Sequence, residues 1–102
     1  MKYLVKVTLP SEATKAMRDG SILEKMQRIF NDMKPEAAYF VTENGRRTQY
    51  IVVNADDAKP LPYLAEPWWL MFNADVDILP AFTLQDMEAI GPILEDVVKK
   101  FG

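Results

Sequence analysis

The sequence predicts an α+β fold in which a four-stranded antiparallel sheet carries helices on one face. Three observations predict it. Apolar and polar residues alternate in four short segments, apolar residues recur at helical spacing in three longer ones, and Asn44–Gly45 lies between two of the strand-like segments. At 102 residues, 49% of them hydrophobic and 26% charged, the chain is expected to form one globular domain over 1–102. No internal repeat, linker or low-complexity segment divides it.

The first strand is "KYLVKVTL", with Tyr3, Val5, Val7 and Leu9 on one face and Leu4, Lys6 and Thr8 on the other, stopped by Pro10. The segment "SEATKAMRDGSILEKMQRIFNDM" comes next at helical spacing through Ala13, Ala16, Met17, Leu23, Met26, Phe30 and Met33. Gly20 interrupts it at a cost of ~1 kcal/mol relative to alanine. Ser21 and Glu24 are spaced as a capping box, so the helix is expected to restart there. Lys34–Pro35 ends it, because the residue before proline disfavours helical angles.

In "EAAYFVTENGRRTQYIVVN", Asn44–Gly45 suits a two-residue type I′ turn. The register this turn imposes sets Glu43 opposite Arg46, Val41 opposite Thr48 and Tyr39 opposite Tyr50 on one face. On the other face Thr42 meets Arg47, Phe40 meets Gln49 and Ala38 meets Ile51. Large apolar groups stand on both faces, so both need a cover.

The next helix lies in "ADDAKPLPYLAEPWWLMFN", with Leu61, Leu64, Ala65, Trp68, Trp69 and Phe72 at its spacing. Asp56–Asp57 reads as its N-cap, and Pro67 is expected to kink or restart it. Trp68 and Trp69 sit about 100° apart around the helix. One can pack on the sheet while the other meets the last helix or a partner subunit. The fourth strand is "ADVDILPAF"; Thr83 then caps a helix whose stripe is Met87, Ile90, Leu94, Val97, Val98 and Phe101, with a bend expected at Gly91–Pro92.

The order is therefore β-α-β-β-α-β-α. Without its last helix that is the ferredoxin-like split βαβ arrangement. Two helices cover one sheet face and leave the other bare, carrying tyrosines, valines and leucine. A homodimer with two sheets face to face buries that surface.

Composition excludes much chemistry. Lys plus Arg is 12 and Asp plus Glu is 15, a net charge of −3 with no long basic stretch, so nucleic acid and anionic membranes are poor partners. The chain has no cysteine and no histidine. Disulfides, thiolate nucleophiles, Ser–His–Asp catalysis, imidazole-bound zinc and proximal-histidine haem are thereby excluded. No cofactor is implied. "MKYLVKVTLP" lacks the character of a signal peptide and no apolar run reaches membrane-spanning length, so a cytoplasmic location is expected.

The segments "KPEAAYFVTENGRR", "LAEPWWLMFNADV" and "FTLQDMEAIG", in this order and spacing, resemble an uncharacterised family of small bacterial proteins. The likeness covers nearly the whole chain, and the Ala-Glu-Pro-Trp helix is its most specific part. That family is similar to the dimeric α/β-barrel superfamily, which implies ferredoxin-like homodimers. Some members carry the label pantothenate synthetase. The label does not suit this chain, since that ligase resembles nucleotidyl transferases with a histidine-containing ATP motif and a far longer chain. Enzymes of the superfamily include muconolactone isomerase-like proteins, cofactor-free quinone-forming monooxygenases and haem-degrading proteins. The last type needs a histidine ligand that this chain lacks.

The side chains that carry chemistry each have two readings. Arg47, which fits the family resemblance, can fork onto a carboxylate or phosphate. Otherwise Arg46–Arg47 is a solvated hairpin end, with Arg46 answering Glu43 across the strands. Asp75 and Asp77 point the same way, but their flanks complete no calcium loop, and no metal site is expected. Glu66, beside two tryptophans, is the candidate acid–base group if partly desolvated; the alternative is a solvent-facing charge or a helix cap. Tyr39 and Tyr50, with Lys6 and Thr8, supply either polar handles for a small organic ligand or an ordinary dimer interface. The expected ligand cleft lies between sheet and second helix, with Trp68 as aromatic wall and Tyr39, Arg47 and Asn73 as orienting groups. Two functional classes remain: a dimer that binds a small molecule or merely assembles, and a cofactor-independent isomerase or monooxygenase acting on an activated aromatic substrate.

Overall fold

Every alternating segment forms a strand and every helical segment a helix in the computed structural model, which describes residues 1–55 and 61–102. The strands are β1 (Lys2–Thr8), β2 (Ala37–Glu43), β3 (Arg46–Asn54) and β4 (Asp75–Ala81). The helices are α1 (Ala13–Asp19), α2 (Ser21–Met33), α3 (Leu61–Phe72) and α4 (Leu84–Phe101). The sheet order is β2-β3-β1-β4 with every pair antiparallel, the ferredoxin-like arrangement. The cap expected at Asp56–Asp57 lies outside the described residues.

Asn44 and Gly45 both take positive φ, as a type I′ turn requires, and the hairpin register pairs Tyr39 with Tyr50 and Glu43 with Arg46. Tyr3, Val5, Val7, Gln49, Ile51 and Val53 share the helix-covered face and are buried. Trp68 is fully buried against that face, edge-on to Phe30 and stacked on Phe72 at ring-centroid distances of 5.7 Å each. Its neighbour Trp69 turns outward and is about half exposed.

The helical segment between the first two strands breaks at Gly20 and resumes at Ser21, as the sequence predicts, and so forms two helices. Gly20, at φ 79°, closes α1 and opens α2. The expected Ser21–Glu24 capping box does not form; the Asp19 carboxylate accepts the Ser21 N–H instead. Ser21, first through its hydroxyl and then through its N–H, holds Asp19 below the usual carboxylate range. The break also rotates the buried stripe. Ile22, Met26 and Ile29 enter the core, whereas Leu23 and Met17, expected on the buried stripe, face solvent, because the left-handed Gly20 sets a new helical phase for α2.

Neither internal proline interrupts its helix. Pro67 lies inside α3 and Pro92 inside α4. Each removes one donor, and on the outer face of a helix water can satisfy the carbonyl left free. Thr83 caps α4 as expected, with a reciprocal Asp86 bond completing a capping box. The helix beyond that cap is unusual. No residue of α4 is buried, and the helix makes at most marginal contact with other elements. The radius of gyration is 17.0 Å, above the ~13 Å of a compact chain this size. The projecting α4 accounts for the excess.

Candidate functional site

The face of the sheet opposite the helices carries Leu4, Tyr39, Val41, Val52 and Leu79 around a polar centre. Tyr39, Val41 and Leu79 are exposed. The centre joins three adjacent strands. Lys6 on β1 donates to Glu43 Oε2, and the Tyr50 hydroxyl on β3 donates to Glu43 Oε1 at the end of β2. The Lys6 ammonium also sits 5.8 Å from the Tyr50 ring centroid. These contacts set the ionisation of all three. The Lys6 bond, then the Tyr50 bond, holds Glu43 below the usual carboxylate range. Lys6 and Tyr50 are each raised, in both cases chiefly by the hydrogen bond to Glu43. At neutral pH the centre is thus an ammonium–carboxylate pair with a neutral phenol.

Arg46 does not answer Glu43, although the two are paired in register. Its guanidinium reaches the opposite way, to the Leu9 carbonyl at 3.2 Å and Asp75 at 3.5 Å. Glu43 is already engaged by Lys6 and Tyr50. Sequence reasoning missed Glu43 as the hub. The hairpin register alone places Glu43 and Tyr50 on one face, but bringing Lys6 to them needed the β1–β3 pairing.

The five residues expected to share one cleft, and Tyr50 with them as a further ligand-binding candidate, are distributed over separate places. Tyr39 and Tyr50 are on the open face, while Arg47 is on the helix-covered side, where its Nη1 donates to Thr14 Oγ1 at 3.1 Å. Asn73 takes a left-handed conformation after α3, and its N–H closes the helix on the Trp69 carbonyl. Glu66 is exposed on the rim of an outer groove of about 590 Å³ between α2 and α3, beside the Tyr63–Asp32 hydrogen bond. Trp68 is fully buried in the core and does not line the groove that Glu66 borders, so the two do not face one cleft. The physical reason is phase. Glu66 and Trp68 are two positions apart in a helix that continues through Pro67, so they face opposite sides.

A family model described as a domain of unknown function, DUF3303, matches residues 1–93. The chain belongs to the DUF3303 family. The match runs from β1 into α4 and takes in the whole sheet of this DUF3303 chain. No curated protein matches the sequence. Among solved structures, a formyltetrahydrofolate deformylase from Pseudomonas putida is similar in fold, with a TM-score of 0.51 at 10% identity over 79% of this chain. The likeness spans 29% of the deformylase chain, and at that identity it concerns the fold alone. Among the described residues, no helix is long and apolar enough to cross a membrane.

Proposed function

We propose that this protein functions as a homodimer in which two sheets pack open face to open face, as in a dimeric α/β barrel, with the Lys6–Glu43–Tyr50 centre enclosed between them. One observation carries the reading: the apolar surfaces that a single chain leaves uncovered, Tyr39, Val41 and Leu79 on the sheet and Met87, Leu94, Val97, Val98 and Phe101 on α4. Soluble monomers rarely expose contiguous apolar patches beyond a few hundred Å².

The areas suit a second copy. Four strands of seven or more residues present a face of roughly 19 by 23 Å. The 18 residues of α4 add a stripe ~27 Å long. In projection the sheet face and the α4 stripe come together to roughly 700 Å², close to the ~800 Å² per partner of a standard interface, and neither approaches it singly. The three polar groups of the centre already satisfy one another. Asp77, opposite Lys6 on the edge strand of the same face and in no ion pair among the described residues, has to stay at the wet rim of such an interface.

Sedimentation velocity and light scattering on the full chain at micromolar concentration test this. A dimer is expected for the wild type, with a shift toward monomer for Tyr39→Asp and Leu79→Asp, each of which places an unpaired charge against apolar surface. A wild-type monomer at that concentration, or variants that dimerise as well as wild type, refutes the sheet-to-sheet arrangement.

A further inference from the structure

On the helix-covered side of the sheet, reaching its edge at Val41, lies a second feature that the fold alone does not require. A cleft of about 420 Å³ opens between α2 and the β2–β3 hairpin. Its floor is Leu9, Ile22 and Met26, all buried, and its mouth is Met17, Leu23 and Phe40, all exposed. That volume falls within the range of small-molecule sites.

One buried polar group in this apolar cleft lacks the partner its chemistry calls for, and an exposed one at the rim keeps donors free for a ligand. Gln49 borders it and is only 1% exposed, yet its Oε1 accepts no hydrogen bond among the described residues. Its Nε2 faces Met26 Sδ at 3.7 Å. Sulfur is a weak acceptor only, so this contact places the amide nitrogen on that side and leaves the carbonyl oxygen as the orphan. Buried acceptors are nearly always satisfied, and one that is not calls for a donor. At the rim, Arg47 holds Thr14 with one nitrogen and enters no ion pair among the described residues.

We infer that this cleft binds a small aromatic carboxylic acid that also carries an N–H or O–H donor. The carboxylate takes the open fork of Arg47, the donor satisfies Gln49 Oε1, and the ring lies among Met26, Leu23 and Phe40. Arg47 and Gln49 are two residues apart on one face of β3, hence ~7 Å along the strand. That spacing suits an acid whose donor and carboxylate stand on opposite sides of one ring system. An aromatic body is favoured over an aliphatic one because Phe40 offers an exposed ring and Met17 and Met26 offer sulfur to a ring edge. The cleft meets the proposed dimer surface only at its edge, where Val41 and Thr48 border it from the open face, while Phe40, Arg47 and Gln49 face the helix-covered side.

Indole-3-acetate carries all three features and is the probe. 3-Methylindole lacks the carboxylate, and naphthalene-1-acetate lacks the donor. Titrations of the full-length ¹⁵N-labelled protein are followed by amide chemical shifts. Indole-3-acetate is expected to move the amides of Met26, Phe40 and Gln49 and to bind at least about fivefold more tightly than either analogue. Arg47→Met should abolish the preference over 3-methylindole, and Gln49→Met the preference over naphthalene-1-acetate. Gln49→Met should also raise the melting temperature of the free protein, because it removes the orphaned acceptor at nearly constant volume. Shifts confined to the open sheet face or α4, equal affinities for the three probes, or preferences that survive both substitutions overturn the assignment.

Discussion

The Tyr50 hydroxyl donates to the same Glu43 carboxylate that receives the Lys6 ammonium, so one side chain ties β1, β2 and β3 together on the open face. The stabilisation has a defined pH window. Glu43, held below its ordinary value of 4.5, contributes above that value and loses its contribution as pH falls through its depressed one. Lys6 and Tyr50 are raised above 10.5 and 10.0, so each contributes fully below those values and loses its contribution as pH rises through the raised ones. Comparing wild type with Glu43→Gln by urea unfolding across pH should give a stability gap that is widest from 4.5 to 10.0 and closes on both sides. A gap that is flat with pH would show that the three groups do not titrate as a unit.

Trp68 and Glu66 separate core from surface within a single turn of α3. Trp68 is fully buried against Phe30 and Phe72, and Trp68→Ala is expected to cost about 3–5 kcal/mol through the lost transfer energy and the cavity left behind. Glu66 is exposed and forms no hydrogen bond among the described residues, so Glu66→Gln should change stability by no more than about 0.5 kcal/mol. Denaturant midpoints of the two variants decide this. A large loss at Glu66 would restore the view that its carboxylate is embedded.

The difference between what could and could not be read in advance lies in the range of the signal. The strand faces, the Tyr39–Tyr50 register and the Thr83 cap depend on period-two alternation, a two-residue turn and a local hydrogen bond. All of these are encoded within a few residues. The Lys6–Glu43 bond joins positions 37 residues apart, and the Arg46–Asp75 pair joins positions 29 apart. Each side chain had more than one partner of opposite charge within the possible registers, so pattern alone could not choose. The dispersal of Glu66, Trp68, Arg47 and Asn73 has a related cause. Glu66, Trp68 and Asn73 are near in sequence and Arg47 is joined to them by the family resemblance, whereas helical phase and the two sides of the sheet separate them in space.

Gly20 offers a direct test of the helix break. At φ 79° it occupies a conformation that costs other L-residues roughly 1–2 kcal/mol, and nothing lies within 4 Å of the position a Cβ would take. The penalty for Gly20→Ala is therefore torsional alone, about 1–2 kcal/mol. Gly20→Asn should cost less, because asparagine tolerates the left-handed region. Thermal unfolding of both variants reads the difference. If alanine proves neutral, α1 and α2 have merged into one helix, and the Ile22–Met26–Ile29 face no longer depends on the break.

The last expectation concerns α4, whose fate links local chemistry to assembly. Its Thr83–Asp86 box satisfies the first turn, and Lys99 and Lys100 lie in the last turn, where they complement the helix dipole. These terms are local and small. An 18-residue helix with no buried residue has little else to hold it, and isolated helices of comparable length are marginal in water. Its stripe of Met87, Leu94, Val97, Val98 and Phe101 is exposed in the single chain. If a second copy covers that stripe, hydrogen exchange of the α4 amides should slow as protein concentration rises through the dimerisation range, while β1 and β3 amides stay protected throughout. Thr83→Ala, which costs a cap about 1 kcal/mol, should then speed exchange across α4 in dilute protein and much less in concentrated protein. Val98→Asp should remove the concentration dependence, because a carboxylate in the centre of the stripe leaves an unpaired charge in any interface built on it. Exchange that is equally fast at every concentration would mean that α4 stays free in solution, and the dimer would have to rest on the sheet face without it.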